Sequence, residues 1–248
     1  DLSKVTSLSN FFGGSKSLTS LHINLEAPKV ESLYGFFYDC LSLTSIEISN
    51  FDVSSVTEMS YMFSGLKSCK YLDLSKFHAP NVQATTGLFQ GCSSLIYINF
   101  TGFDTSNTIN MEYMFYGCSS LVSLDLSSFT FNQVYLNDFC NQCYSLTSIK
   151  FSNGYHLPSG VARMFIECSS LLLVDFSNFD FGIIEDMQML FYGCAELTSI
   201  DLSNFDTFSV TNMEYMFYGC SSLTEINAEW LTPSLISIES MFHNCFSL

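Results

Sequence analysis

Two hydrophobic patterns alternate along this chain. In Val210-Thr-Asn-Met213-Glu-Tyr-Met216-Phe217-Tyr-Gly-Cys220 the apolar residues fall at i, i+3, i+6, i+7 and i+10. That spacing predicts one face of a short helix. Thr211 and Glu214 stand at capping-box spacing and predict its first turn. In Leu197-Thr-Ser-Ile200-Asp-Leu202-Ser-Asn-Phe205 the pattern changes to alternation. Ile200 and Leu202 face one way while Ser199, Asp201 and Ser203 face the other, which predicts a short strand with one buried side. Asn204-Phe205-Asp206-Thr207 then turns the chain, because Asn and Asp side chains bond nearby backbone amides.

The pair of patterns repeats. The column Leu18, Leu43, Cys69, Leu95, Leu121, Leu146, Leu171, Leu197, Leu223 and Leu248 advances by 25 or 26 residues at every step. A period in that range with L-x-x-L-x-L spacing marks a leucine-rich-repeat solenoid. The predicted fold is an α/β repeat solenoid, a right-handed array with a parallel β-sheet on one face and short helices or 3-10 turns on the other. About nine strands at a spacing of about 4.8 Å would span about 40–45 Å.

Residues 1–248 read as one solenoid of about nine repeats, since each unit touches only its neighbours. The expected strand columns are Leu21, Ile46, Leu72, Ile98, Leu124, Ile149, Val174, Ile200 and Ile226, then Ile23, Ile48, Leu74, Phe100, Leu126, Phe151, Phe176, Leu202 and Ala228. A third column is mostly Phe: Phe51, Phe77, Phe103, Phe129, Phe179 and Phe205. Departures are local. Cys140 takes the usual Phe position with Phe139 in the Met slot, and Gly154 replaces a Phe beside Tyr155, His156, Leu157 and Pro158. The chain opens inside a repeat, closes on a repeat boundary and shows no polar caps, so the expectation is a segment of a longer protein.

Composition narrows the partners. At 48% hydrophobic and 16% aromatic the chain has ample material for a continuous core. No apolar run approaches bilayer length, which excludes direct membrane insertion by a helix, and no signal peptide opens the chain. The net charge is −16, with only Lys150 and Arg163 as basic residues beyond Lys76. Nucleic acid and anionic membrane surfaces are thereby disfavoured, because phosphate binding depends on Lys and Arg.

Three residue sets invite chemistry. Eight of the ten cysteines share one repeat position: Cys40, Cys92, Cys118, Cys143, Cys168, Cys194, Cys220 and Cys245. Stacked with parallel side chains they read as small buried hydrophobes, since a disulfide needs thiols turned toward each other. The one short pair, Cys140-x-x-Cys143, fills two separate core slots, so no metal is called. On the open side of the strands runs a ladder: His22, Glu47, Asp73, Asn99, Asp125, Lys150, Asp175, Asp201 and Asn227. Stacked carboxylates repel, and Asn99 and Lys150 relieve this between acids. A solvated face explains each acid singly. Two carboxylates fall far short of the about six to eight oxygens calcium takes. As a whole, the ladder lies on the face solenoids present to partners. Tyr71 and Tyr97 stand two positions before Asp73 and Asn99 in adjacent repeats, with Leu173 equivalent further on, where exposed aromatics suit recognition of proteins or sugars. The candidate binding residues are therefore Tyr71, Asp73, Tyr97, Asp125, Asp175 and Asp201. Tyr61, Tyr113, Tyr215, Tyr38, Tyr116, Tyr192 and Tyr218 belong to the helical half and should cover the core edge. The column Asp52, Asp104, Asp180 and Asp206 reads as turn capping. The histidines His22, His78, His156 and His243 sit at different repeat phases, and no phosphate loop appears, so neither catalysis nor a cofactor is expected.

The segments M-E-Y-M-F-Y-G-C-S-S-L at 111–121, N-M-E-Y-M-F-Y-G-C-S-S-L at 212–223 and D-L-S-N-F-D-T at 201–207 resemble the BspA-like leucine-rich-repeat surface proteins. This repeat type is common in mycoplasmas, firmicutes and some protists. The resemblance covers essentially the whole chain. It implies an exported protein, held at the cell surface or secreted, that adheres to host matrix glycoproteins or other cells. The family has no agreed binding motif, so it assigns no residue. The expected function is a non-catalytic, adhesin-like module recognising a protein or glycoprotein through the solenoid face. The alternatives are a structural spacer or an intracellular interaction scaffold, the latter suited by unpaired cysteines.

Overall fold

A computed structural model describes residues 2–51, 53–152, 160–179 and 181–248, with backbone alone for residues 48–50. The Gly154 departure with Tyr155, His156, Leu157 and Pro158 lies outside the described residues, as do Asp52 and Asp180. Strands recur once per repeat: β1 (Ser20–Leu25), β2 (Ser45–Phe51), β3 (Tyr71–Asp73), β4 (Tyr97–Asn99), β5 (Ser123–Leu126), β6 (Ser148–Phe151), β7 (Leu173–Val174), β8 (Ser199–Asp201) and β9 (Glu225–Asn227). Paired strands are sequence neighbours and parallel, with Leu21 opposite Ile46, Leu72 opposite Ile98, Leu124 opposite Ile149 and Ile200 opposite Ile226. The predicted columns thus meet in the predicted register, and the coils form a parallel β-solenoid.

The other side of each coil corrects the helix prediction. No helix occurs among the described residues. Instead, alternate amides donate to the next coil: Met59 to Ala84, Tyr61 to Thr86, Phe63 to Leu88 and Gly65 to Gln90, at 2.7–2.9 Å. Between these, the chain closes four-residue turns on itself. Met216 N donates to Met213 O at 3.3 Å, and Cys220 N to Phe217 O at 3.0 Å. Tyr215 and Gly219 hold the third positions of these turns at φ 55° and 75°. A positive φ there is what a type II turn requires, and Gly adopts it without steric cost. A helix tolerates neither, so two back-to-back turns imitate helical spacing without forming one. The capping-box reading fails with it. Thr211 donates from both N and Oγ1 to Glu185 O, while Asn212 Oδ1 accepts the Glu214 amide at 2.9 Å.

This turn-side ladder runs through bridges at Ser7, Ser32, Glu58, Ala84, Asn110, Tyr135 and Gly160, and again at Asp186, Asn212 and Ser237. Arg163 N to Gln188 O and Phe165 N to Leu190 O, at 2.9 and 3.0 Å, join the two runs. The strand side is less continuous than the expected single sheet. Its strands form four small sheets, β1-β2, β3-β4, β5-β6-β7 and β8-β9. Many strands are only two to four residues long, so losing one or two backbone bonds ends the pairing.

Between the two sides lies the core. Phe51, Phe77, Phe103, Phe129, Phe179 and Phe205 are all buried, as expected. On the turn side, Phe37, Phe63, Phe89 and Phe115 form a stacked column with centroids 5.4–5.7 Å apart. Cys140 interrupts that column, Phe139 meets Phe115 edge-on at 5.1 Å, and stacking resumes through Phe165, Phe191 and Phe217 at 5.6 Å.

Candidate binding face

The open strand face carries the predicted ladder, and the strand register turns sequence columns into neighbours. Tyr71 lies directly opposite Tyr97, and Asp73 opposite Asn99. Both tyrosines are exposed, at 64% and 53%. Asn99 Nδ2 donates to Asp73 Oδ1 at 3.0 Å, while Asn99 Oδ1 accepts from Thr101 N and Oγ1 at 3.1 and 2.8 Å. Asp125 lies opposite Lys150, whose Nζ reaches Asp125 Oδ2 at 3.4 Å. Asp201 Oδ2 accepts from Asn227 Nδ2 at 3.1 Å. His22 Nδ1 stands 3.2 Å from Glu47 Oε2. Neutral or cationic rungs therefore separate several of the acids.

The four candidate carboxylates, each at or within one residue of a strand end, are held in the same way. Asp73, Asp125, Asp175 and Asp201 accept the amide two residues on, from Ser75, Ser127, Ser177 and Ser203, at 2.9 Å. This D-x-S turn fixes the carboxyl groups locally. It also acidifies Asp73, Asp125 and Asp201. The Ser75 amide holds Asp73 below the ordinary carboxylate value, with the Ser75 hydroxyl adding to it. The Ser127 hydroxyl does most to lower Asp125, with its amide and Lys150 assisting against slight burial. The Ser203 hydroxyl and amide lower Asp201. All three carry charge at neutral pH.

The candidates divide between two clefts. Tyr97 and Asp125 line one of about 310 Å³, with Asn99, Phe100, Thr101 and Gly102. Asp175 and Asp201 line a second of about 440 Å³, with Leu173 and Phe176. Tyr71 and Asp73 stand one strand over from the first. Sequence reasoning missed Thr101 and Gly102. Gly102 sits at φ 83°, where the other coils carry Lys76, Ser128, Asn178 or Asn204, and this lone Gly was the available signal.

The remaining sets are structural. The column cysteines are buried except Cys245, which is half-buried. Each thiol donates to a carbonyl of the preceding coil, as Cys92 Sγ does to Phe63 O at 3.0 Å and Cys118 Sγ to Phe89 O at 3.2 Å. Burial pushes Cys92 and Cys220 up to about 12, and Cys118, Cys140, Cys168 and Cys194 upward too. Such thiols stay protonated and unreactive. Among the turn-side tyrosines, Tyr192 and Tyr218 stack at 4.9 Å, with His243 stacked beyond at 4.9 Å. Asp104 and Asp206 cap turns through the amides of Ser106 and Phe208, at 2.8 and 3.0 Å. A buried carboxylate, Asp138, is matched by Arg163 Nε at 3.0 Å and Asn141 Nδ2 at 2.8 Å. No group of three or more His, Cys, Asp or Glu able to hold a metal occurs among the described residues.

Parallel coils, a buried Phe and Leu core and an open strand face define a leucine-rich-repeat solenoid. The chain belongs to the family described as Mycoplasma protein of unknown function, DUF285, whose model matches residues 1–96, 65–148 and 159–248. That match agrees with the BspA-like resemblance of the repeats. Among solved structures, the chain is similar to a leucine-rich repeat protein from Bacteroides ovatus ATCC 8483, with 22% identity and a TM-score of 0.50, covering 98% of this chain and 69% of that one. It is also similar to a leucine rich cell surface protein from Faecalibacterium prausnitzii A2-165, with 19% identity, TM-score 0.44, and 100% and 63% of the two chains covered. A leucine-rich repeat protein from Eubacterium ventriosum ATCC 27560 follows at 13% identity, TM-score 0.38, and 96% and 80% covered. No curated protein matches the chain. The first likeness establishes the fold, and no catalytic family is shown by these matches.

Proposed function

We propose that the chain is a non-catalytic, adhesin-like binding module at a cell surface, contacting a protein or glycoprotein through its strand face. The observation that carries this reading is the in-register pair of exposed tyrosines, Tyr71 and Tyr97, beside fixed carboxylates on an open face. Large apolar rings held in water on a rigid surface lose free energy there that a partner can recover. The net charge of −16 selects against anionic partners and favours neutral or basic ones. The surface location draws on the BspA-like resemblance.

The test is binding of the purified chain to immobilised matrix glycoproteins and mucins, beside a variant carrying Tyr71→Ala, Tyr97→Ala, Asp175→Ala and Asp201→Ala. Saturable binding that disappears in the variant is expected. Binding that survives would move the contact to the turn side, and no binding at all would favour a spacer.

A further inference from the structure

Both clefts on the strand face lie at interruptions of the ladder. The first falls between β4 and β5 and the second between β7 and β8, two of the places where the sheet divides. In intact stretches the residue after each strand keeps its neighbour bonded. Leu74 N donates to Asn99 O at 3.0 Å, and Leu202 N to Asn227 O at 2.7 Å. The equivalent amides at the interruptions, Phe100 N and Phe176 N, have no partner among the described residues. Each interruption thus sets together an unpaired backbone donor, at least one fixed carboxylate and an exposed apolar flank. The flanks differ. It is Tyr97 in the first cleft and Leu173, 58% exposed, in the second.

We propose that the cleft between β4 and β5 is a subsite for one neutral hexopyranose residue of a glycan, seated against the Tyr97 ring. This deepens the binding-face reading and rests on it. A pyranose presents an apolar C–H face and a rim of hydroxyls. The apolar face suits a rigid exposed aromatic. The hydroxyls donate to a carboxylate and accept from an N–H, which Asp125 and the Phe100 amide supply. Asn99 is committed to Asp73 and Thr101, so it braces the cleft. A volume of about 310 Å³ sits at the small end for ligand sites and fits one ring with open ends for the rest of a chain. Charge sets the class. Locally the charges offset, with Lys150 on Asp125 and Lys76 close enough to act on Asp73, so it is the net charge of −16 over the whole chain that disfavours sialylated or sulfated sugars. The second cleft has the amide and two carboxylates but no exposed ring, Phe176 being buried, and serves as the internal comparison.

The test follows backbone amide shifts as methyl glucoside, methyl galactoside and methyl mannoside are titrated singly to millimolar concentration, with N-acetylneuraminic acid as the charged control. At least one neutral glycoside should shift Phe100 and Thr101 saturably and leave Phe176 in place. Tyr97→Ala should weaken that binding by about tenfold or more. Leu173→Tyr should extend the response to Phe176. Absence of Phe100 shifts with all three glycosides, equal shifts in the Tyr97→Ala protein, or a preference for N-acetylneuraminic acid would each overturn the proposal. Enzymatic deglycosylation of a bound glycoprotein separates the two readings. Lost binding supports the sugar subsite, whereas retained binding that still needs the strand face sinks the subsite and keeps the module.

Discussion

The turn side and the strand side of this solenoid are built from the same repeat, yet they hold together differently. On the turn side, alternate amides reach the next coil almost without interruption, and Phe and Cys columns pack beneath them. On the strand side, pairing among the described residues stops between β2 and β3, β4 and β5, and β7 and β8. A solenoid needs continuous backbone pairing along only one side, since the shared core couples the other. The second side is then free to open gaps, and those gaps are where unpaired amides and fixed carboxylates stand together.

The largest way to break this comparison is to remove a turn-side ring. Phe89 is fully buried and stacked on both Phe63 and Phe115. Phe89→Ala should cost about 3–5 kcal/mol in urea unfolding. Tyr97→Ala, on the exposed strand face, should cost under about 0.5 kcal/mol. Comparable losses would refute the division of labour. The next effect is conformational. A Cβ at Gly219 would lie 3.7 Å from Gly193 Cα, so space is not the obstacle, but φ is 75°. Gly219→Ala should therefore cost about 1–2 kcal/mol by the same measurement. An unchanged midpoint would show that the turn relaxes.

Thiol reactivity sharpens the contrast without changing stability. Half-buried Cys245 should be alkylated ahead of the nine buried cysteines at neutral pH, read by intact mass, because Cys92 and Cys220 are pushed up to about 12. Rapid labelling of several thiols in the folded protein would contradict the packing. The smallest effect is acid sensitivity of the strand side. Asp73, Asp125 and Asp201 titrate below their unfolded value of about 3.9, so their contribution is present above about pH 4 and lost as pH falls through the folded values. The combined Asn variants should flatten the decline in unfolding midpoint below about pH 4. An unaltered slope would place the acid-sensitive groups elsewhere.

What the sequence made legible was whatever depends on register alone. A period of 25 or 26 residues places Leu72 over Ile98 and Asp125 over Lys150 however the intervening chain bends, and the strands bear this out. The turn side was misread because Val210, Met213, Met216, Phe217 and Cys220 carry helical spacing in a segment with no helix. Two successive four-residue turns also bring every third or fourth side chain inward. The warning was a recurrent glycine, Gly65, Gly91, Gly117, Gly193 and Gly219, before the last apolar residue of the supposed helix. The candidate site was legible as a ladder but not as clefts. Tyr97 and Asp125 were named from their columns, whereas the interruption beside Phe100 leaves no residue pattern apart from Gly102.

Amide hydrogen exchange, resolved by residue, tests the central claim most directly. The account predicts strong protection along the turn side at Phe63, Phe89, Gly91, Phe115 and Gly117, intermediate protection at Leu74 and Leu202, and fast exchange at Phe100 and Phe176. Protection of Phe100 and Phe176 equal to that of Leu74 and Leu202 would mean that the strand side is one unbroken sheet, and the clefts would lose their origin.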